Sequence, residues 1–268
     1  MHDHQFKQLL NKFQLSWAGY RKVRKGVKKR IGRHMQQLGY RTFSNYLSLL
    51  DENEEMRKEC QRLLTVSISR FFRDCHLWQI LENDILPAQI KREQEKITAW
   101  SAGCACGQEV YSLRIIWDRM QVRSAYQPEL EITATDLNPE YIEKAQRGIY
   151  PASSLKEVSG EILSGYFEKI KGKSLYAVKP SLKGQVRWKV HNILSAPPEK
   201  NFHIILLRNN LLTYYTNGLI KPALSNIWDC LAPEGALIVG SHEKLPFRPS
   251  GLSPQTDSSI VYFKKNIS

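Results

Sequence analysis

A doubly wound α/β sheet, Rossmann-like in its winding, is the fold this sequence predicts. A small helical domain precedes it and a small β-rich insertion interrupts it. From Thr98 onward, short apolar runs rich in β-branched residues alternate with helical segments, the pattern of a parallel sheet with crossover helices. Before that point every apolar stripe has helical spacing. Between Gly148 and Gly184 the pattern weakens into Pro, Gly and Ser with one short run, SLYAV. The reading divides the chain into a helical domain over 1–65, a linker and helix over 66–90, and a sheet domain over 91–268 with an insertion at 148–184.

In the first domain Val23, Val27 and Ile31 fall four apart and give one apolar stripe. Phe43, Tyr46, Leu47 and Leu50 give a second, and Met56, Cys60, Leu63 and Leu64 a third, so a small helical bundle is expected. The sheet domain opens on ITAWSAG, then a helix over QEVYSLRIIWDRM. LEITATD follows with a helix over NPEYIEKAQRG, and VRWKVHN, HIILLRN, ALIVGSH and SIVYFKK supply the later strands. Ligands of open α/β sheets sit beyond the carboxyl ends of the strands. Chemistry is therefore expected after WSAG, TATD, VHN and LLRN.

The chain has 268 residues, enough for one large domain and an appendage, and its 42% apolar content suits a packed core. No apolar stretch approaches the roughly 20 residues that span a bilayer. The polar start MHDHQFKQLLNKF lacks a signal core, so a cytoplasmic location without membrane insertion is expected. Five cysteines at irregular spacing read as reduced thiols, and no second Cys or His pair joins Cys104 and Cys106 to make a metal site. The net charge of +13 is concentrated in YRKVRKGVKKRIGR, residues 20–33, which holds eight basic residues and no acid. Such a run is a solvated helix face or a surface for nucleic acid or an acidic protein.

Several positions could carry chemistry. Gly103 and Gly107 in AGCACGQE suit a turn that lets backbone approach a ligand, or plain chain reversal. Asp136 ends TATD, where an acid can bind both hydroxyls of a ribose, while Asn138 before Pro139 is the better helix cap. Asn192 offers donor and acceptor to an adenine edge, or serves a turn. Arg208 and Asn209 close an apolar strand, and a charge there needs a partner. In TVSISRFFRD, Arg73 could reach a carboxylate in a cleft; the plainer reading is a helix start capped by Ser with Phe71 and Phe72 in the core.

Taken together, SRFFRD, WSAGCACGQEVYS, ATDLN, HNIL, LLRNNLLTYYT and VGSHEKL stand in the order found in CheR-type chemotaxis receptor methyltransferases, and the sequence resembles that family over nearly its whole length. The resemblance implies a class I methyltransferase sheet and a protein-glutamate O-methyltransferase. It would use S-adenosylmethionine and release S-adenosylhomocysteine. By motif, Glu109 would hold the methionine amino group and Asp136 the ribose, with Asn192 and Ile193 at the adenine. Ser67, Ser69 and Arg73 would come from the linker, with Arg73 near the transferred methyl, and Arg208 and Asn209 would close the far side. The family's tyrosine near the methyl matches Tyr214 if one residue is inserted after Asn209, and Thr213 takes the position if none is. The partner implied is an acidic helical region of a methyl-accepting chemoreceptor, met by basic residues 21–33, with the enzyme a monomer. Ser67 and Ser69 replace the usual Asn and Thr, Ala105-Cys106-Gly107 the usual Ser-Thr-Gly, Val110 a common proline, and Ser241-His242-Glu243 permutes His-Ser-Glu. A nucleic-acid methyltransferase and a non-catalytic cofactor-binding scaffold are the alternatives.

Overall fold

A computed structural model describes residues 1–92, 95–123, 128–247, 249–254 and 260–264. Four helices come first: α1 (Asp3–Lys12), α2 (Arg24–Gln37), α3 (Phe43–Glu52) and α4 (Glu54–Leu64). Their apolar stripes meet in a core of their own, with Phe6, Leu10, Val27, Ile31, Tyr46 and Leu50 buried. Thr42 caps α3 and Asn53 caps α4, each accepting a backbone N–H that the first turn leaves unpaired. Residues 65–74 contain no helix. The next helices, α5 (Cys75–Ile80) and α6 (Leu86–Arg92), are joined by a π-helical turn over Leu81–Ile85. The Ser-capped helix start considered for this stretch is therefore absent, although Phe71 and Phe72 are in the core.

The sheet domain runs β1 (Lys96–Ala102), α7 (Gln108–Arg123), β2 (Glu129–Asp136), α8 (Pro139–Arg147) and then, after the insertion, β6 (Val186–Val190). The insertion contains β3 (Ile149–Pro151), α9 (Gly160–Tyr166), β4 (Phe167–Lys169) and β5 (Leu175–Val178); its strands form a separate antiparallel sheet in the order β3-β5-β4. β7 (Phe202–Leu207), α10 (Leu211–Tyr214), α11 (Asn217–Asp229), β8 (Leu231–Val239), β9 (Leu252–Pro254) and β10 (Val261–Lys264) complete the chain. The large sheet has the order β6-β2-β1-β7-β8-β10-β9.

Strands β6, β2, β1, β7 and β8 are parallel; β2, β1, β7 and β8 are largely buried on both faces, while the edge strand β6 is largely exposed. On β1, Ile97 and Ala99 pack on one face, and Trp100 and Ala102 on the other. A strand buried on both sides reads as a continuous apolar run, which is why the alternation of strand and helix was legible. The sheet is mixed rather than wholly parallel: β10 runs antiparallel to β8 and to β9. No helix among the described residues links β8 to these last strands, and a parallel return needs a crossover of a dozen or more residues, usually helical. The order reverses between β1 and β7, which opens a crevice at their carboxyl ends.

Phe71 joins the linker to the insertion. Its ring meets Tyr150 and Phe167 edge-on, both at 4.9 Å, and its N–H donates to Ser154. Phe71→Ala leaves a void between three elements and is expected to cost about 3 kcal/mol or more, read as a lowered midpoint in urea unfolding.

Candidate active site

The cleft encloses about 1050 Å³, its solvent mouth included, at the carboxyl ends of β1, β2, β6 and β7. One wall is the turn after β1. Gly103 and Gly107 both have positive φ, at +87° and +84°. A Cβ on Gly103 would overlap the Asn210 side chain, and one on Gly107 would meet Ala145 at 2.8 Å and Trp188 at 2.9 Å. These glycines make room for the protein's own packing. The turn's backbone also faces β2: Gly103 and Cys104 N–H donate to the Thr135 carbonyl at 2.9 and 2.8 Å, and Ala105, left-handed at +48°, donates its N–H to Asp136 at 3.0 Å.

The other Asp136 oxygen accepts from Asn138 N–H at 2.9 Å, while Asn138 itself caps α8 by accepting from Glu140. Asp136 thus lines the cleft with its carboxylate held by backbone donors from Ala105, Leu137 and Asn138. Burial raises its pKa, against the backbone hydrogen bonds that favour the charge. Nearby Cys104 is buried, and burial, with the Asp136 and Glu109 charges, pushes its thiol well up, so it stays neutral. Among the described residues no cluster of three His, Cys, Asp or Glu could hold a metal.

Glu109 stands in the first turn of α7, where the positive end of the helix favours a carboxylate. It accepts from Ser101 Oγ at 2.9 Å and from Arg208 Nη1 at 2.9 Å. The Arg208 side chain is only 4% exposed, and its Nη2 also donates to Asp74 at 2.6 Å and to the Arg73 carbonyl at 3.1 Å. The guanidinium lies 5.7 Å from the Trp78 ring centre. The partner that a buried charge at the end of β7 requires is therefore a pair of carboxylates.

Asn209, left-handed at +52°, is held by Glu243, which accepts from Asn209 N–H and Gly240 N–H, both at 2.8 Å, and from Thr213 Oγ1 at 2.5 Å. Thr213 is thereby turned to Glu243, and Tyr214 is the residue that lines the cleft. Burial raises the Tyr214 pKa while Arg73 opposes the shift, so the phenol keeps its proton at neutral pH.

Ser69, Arg73, Glu109, Asp136, Ile193, Arg208, Asn209 and Tyr214 are brought together on this cleft. Ser67 and Asn192 lie outside its lining. Asn192 spends its side-chain carbonyl on Leu194 N–H at 3.1 Å, the turn role that its position also allowed. Asp74, Glu243 and Tyr20 had no signal as site residues. Asp74 was visible in SRFFRD and Glu243 in VGSHEKL, but nothing in sequence paired them with Arg208 and Asn209.

Residues 67–259 match the family described as CheR methyltransferase, SAM binding domain. The chain belongs to the CheR methyltransferase family. It is 30% identical over 239 residues to a chemotaxis protein methyltransferase of Listeria innocua, covering 89% of this chain and 88% of that one. One from Listeria monocytogenes is 29% identical over 238 residues, with the same coverage. One from Salmonella typhimurium is 29% identical over 228 residues, covering 81% of this chain and 75% of that one. This CheR chain is an S-adenosylmethionine-dependent methyltransferase. The cleft's donor set fits the cofactor: carboxylates suit its ammonium and ribose hydroxyls, all donors, and Leu137 and Ile193 offer apolar surface. Among the described residues no helix is long and apolar enough to cross a membrane.

Removing the Arg208 fork strands two carboxylates. Arg208→Met is expected to lower stability by about 3 kcal/mol, measured by urea unfolding. Arg208→Lys recovers only part of it, because one ammonium cannot bridge Glu109 and Asp74 in the same plane.

Proposed function

We propose that this enzyme esterifies glutamate side chains in an acidic helical region of a chemoreceptor, acting as a monomer in the cytoplasm. The observation that carries the reading is a cofactor cleft together with a row of exposed cations on α2, the helix after the loop whose Leu15 and Tyr20 line that cleft. On α2, Val27, Ile31 and His34 are buried, and Lys25, Lys29 and Arg33 stand four apart on the exposed side. Arg21 and Lys22 precede them, also exposed. The rest of the basic run is spent within the domain. Arg24 stacks on Trp17 at 3.9 Å and pairs with Asp3, Lys28 pairs with Asp3 at 2.8 Å, and Arg30 donates to the Leu63 and Thr65 carbonyls. A row of exposed cations on a helix suits an acidic helix lying along it.

S-adenosylmethionine, when bound, supplies a methyl on a sulfonium for in-line displacement. A glutamate carboxylate, with its ordinary pKa near ~4.3, is already ionised at neutral pH, so no general base is needed. The protein's work is alignment and exclusion of water. In this reading Glu109 meets the ammonium and Asp136 the ribose hydroxyls. Ile193 flanks the adenine, and Ser69, Arg208 and Asn209 complete the cofactor's surround. Arg73, whose Nη1 donates to the Ile68 carbonyl at 3.2 Å, orients the acceptor carboxylate without neutralising it. Tyr214, kept protonated, donates to that carboxylate and holds it in line.

Titration calorimetry with S-adenosylhomocysteine tests the cofactor half. Asp136→Ala is expected to weaken binding about tenfold or more, which is about 1.4 kcal/mol; undiminished binding would remove Asp136 from the site. Because burial raises the Asp136 pKa, acidification protonates it at a higher pH than an exposed aspartate, and wild-type affinity falls from that pH downward. Methyl transfer to a chemoreceptor cytoplasmic fragment, read as base-labile methanol, tests the other half. Reversing Lys25, Lys29 and Arg33 to Glu is expected to raise KM for that fragment about tenfold or more and to leave S-adenosylhomocysteine affinity unchanged. Equal losses in both would remove the helix from docking.

A further inference from the structure

We infer that residues 14–20, between α1 and α2, are a strap that positions Tyr214, which makes the N-terminal domain part of the methyl-transfer machinery as well as a docking arm. The inference rests on the proposed place of Tyr214 at the acceptor carboxylate. Tyr214 ends α10, a helix of only four residues, and the chain on either side of it is short loop. A helix that short does not hold itself.

The strap grips this segment at four points, two of them the hydrogen bonds that make up one antiparallel bridge. Ser16 N–H donates to the Tyr214 carbonyl at 2.8 Å, and Thr216 N–H donates to the Gln14 carbonyl at 3.0 Å. Leu15 and Tyr215 form an antiparallel bridge. The Tyr20 ring meets the Tyr214 ring edge-on at 5.1 Å. Gly19 lies so close to Thr213 that a Cβ there would overlap the carbonyl oxygen. Leu15 and Tyr20 are buried and also line the cleft, and Tyr20 Oη donates to the Leu64 carbonyl at 2.9 Å, tying the strap to the end of α4. Gln14 takes a left-handed φ of +52°, which a side chain rarely adopts without surroundings that impose it. Glu243 grips the same segment from the opposite side through Thr213. A tyrosine that is to hold a nucleophile in line needs its ring fixed to within a fraction of an ångström, and a misplacement of about 1 Å costs about 10²-fold in rate.

Gly19→Ala wedges the strap off without altering a cleft-lining side chain, and amide hydrogen exchange reads the result with no turnover needed. Ser16 and Thr216 amides are expected to exchange about tenfold faster or more, with Ile205 and Leu206 in β7 unchanged. In methyl transfer to the chemoreceptor fragment, kcat falls about tenfold or more, while S-adenosylhomocysteine affinity stays within about twofold. Tyr20→Leu, which also removes a cleft-lining side chain, is read by kcat alone; it lowers kcat about tenfold or more, and Tyr20→Phe restores most of the loss, because the ring bears on Tyr214 and the hydroxyl on Leu64. If the strap acts through Tyr214, Gly19→Ala adds little to Tyr214→Ala in the double variant. Normal exchange with undiminished kcat in both Gly19→Ala and Tyr20→Leu would overturn the strap, as would loss of S-adenosylhomocysteine binding in proportion to kcat in Gly19→Ala. Full kcat in Tyr214→Ala would instead overturn the place given to Tyr214, and the exchange data would still show whether the segment is held.

Discussion

The guanidinium of Arg208 holds three parts of the molecule at one point. It ends a parallel strand, reaches the first turn of α7 through Glu109, and reaches the linker before α5 through Asp74 and the Arg73 carbonyl. With so little of the side chain exposed, the cost of burying the charge falls on its partners, two carboxylates and a carbonyl at the terminal nitrogens, while the buried Nε has no partner. Lose that knot and Glu109 loses its orientation, while the linker that carries Ser69 and Arg73 loses its anchor on the sheet. Asp74 sits in left-handed backbone at +61° to make the contact. The strain is local, and the ion pair is what sustains it.

Around that knot the cleft is arranged by charge. Its carboxylates are kept by backbone N–H groups or by Arg208, its buried thiol is kept neutral, and its tyrosine keeps its proton. Methyl transfer from a sulfonium to a carboxylate moves no proton. A site that fixes donors and acceptors in place suits the carboxylate acceptor proposed above.

The N-terminal domain divides its basic residues between two tasks. Some hold the small bundle together through Asp3, Trp17 and the end of α4, and the exposed row on α2 is the surface proposed above for docking. The loop before α2 meets the segment that carries Tyr214, so the surface that would receive an acidic helix and the residue that would hold its carboxylate are two ends of one short path.

Much of this was legible in the residues themselves. Strands buried on both faces are apolar runs, and helices with one buried face repeat every three or four residues, so β1, β2, α8 and the stripe of Val27 and Ile31 follow from local pattern alone. Asn138 as a cap and Asp136 at a strand end are local facts of the same kind. The antiparallel β10 was not legible, because direction depends on how the chain returns after β8. Nor were the partners of Arg208, or the neighbours that Gly103 and Gly107 make room for. The sequence by itself determined which residues could be buried and which could do chemistry. Only the tertiary structure decided which of them met, since a hydrogen bond between residues 74 and 208, or 209 and 243, depends on distances that no local periodicity encodes.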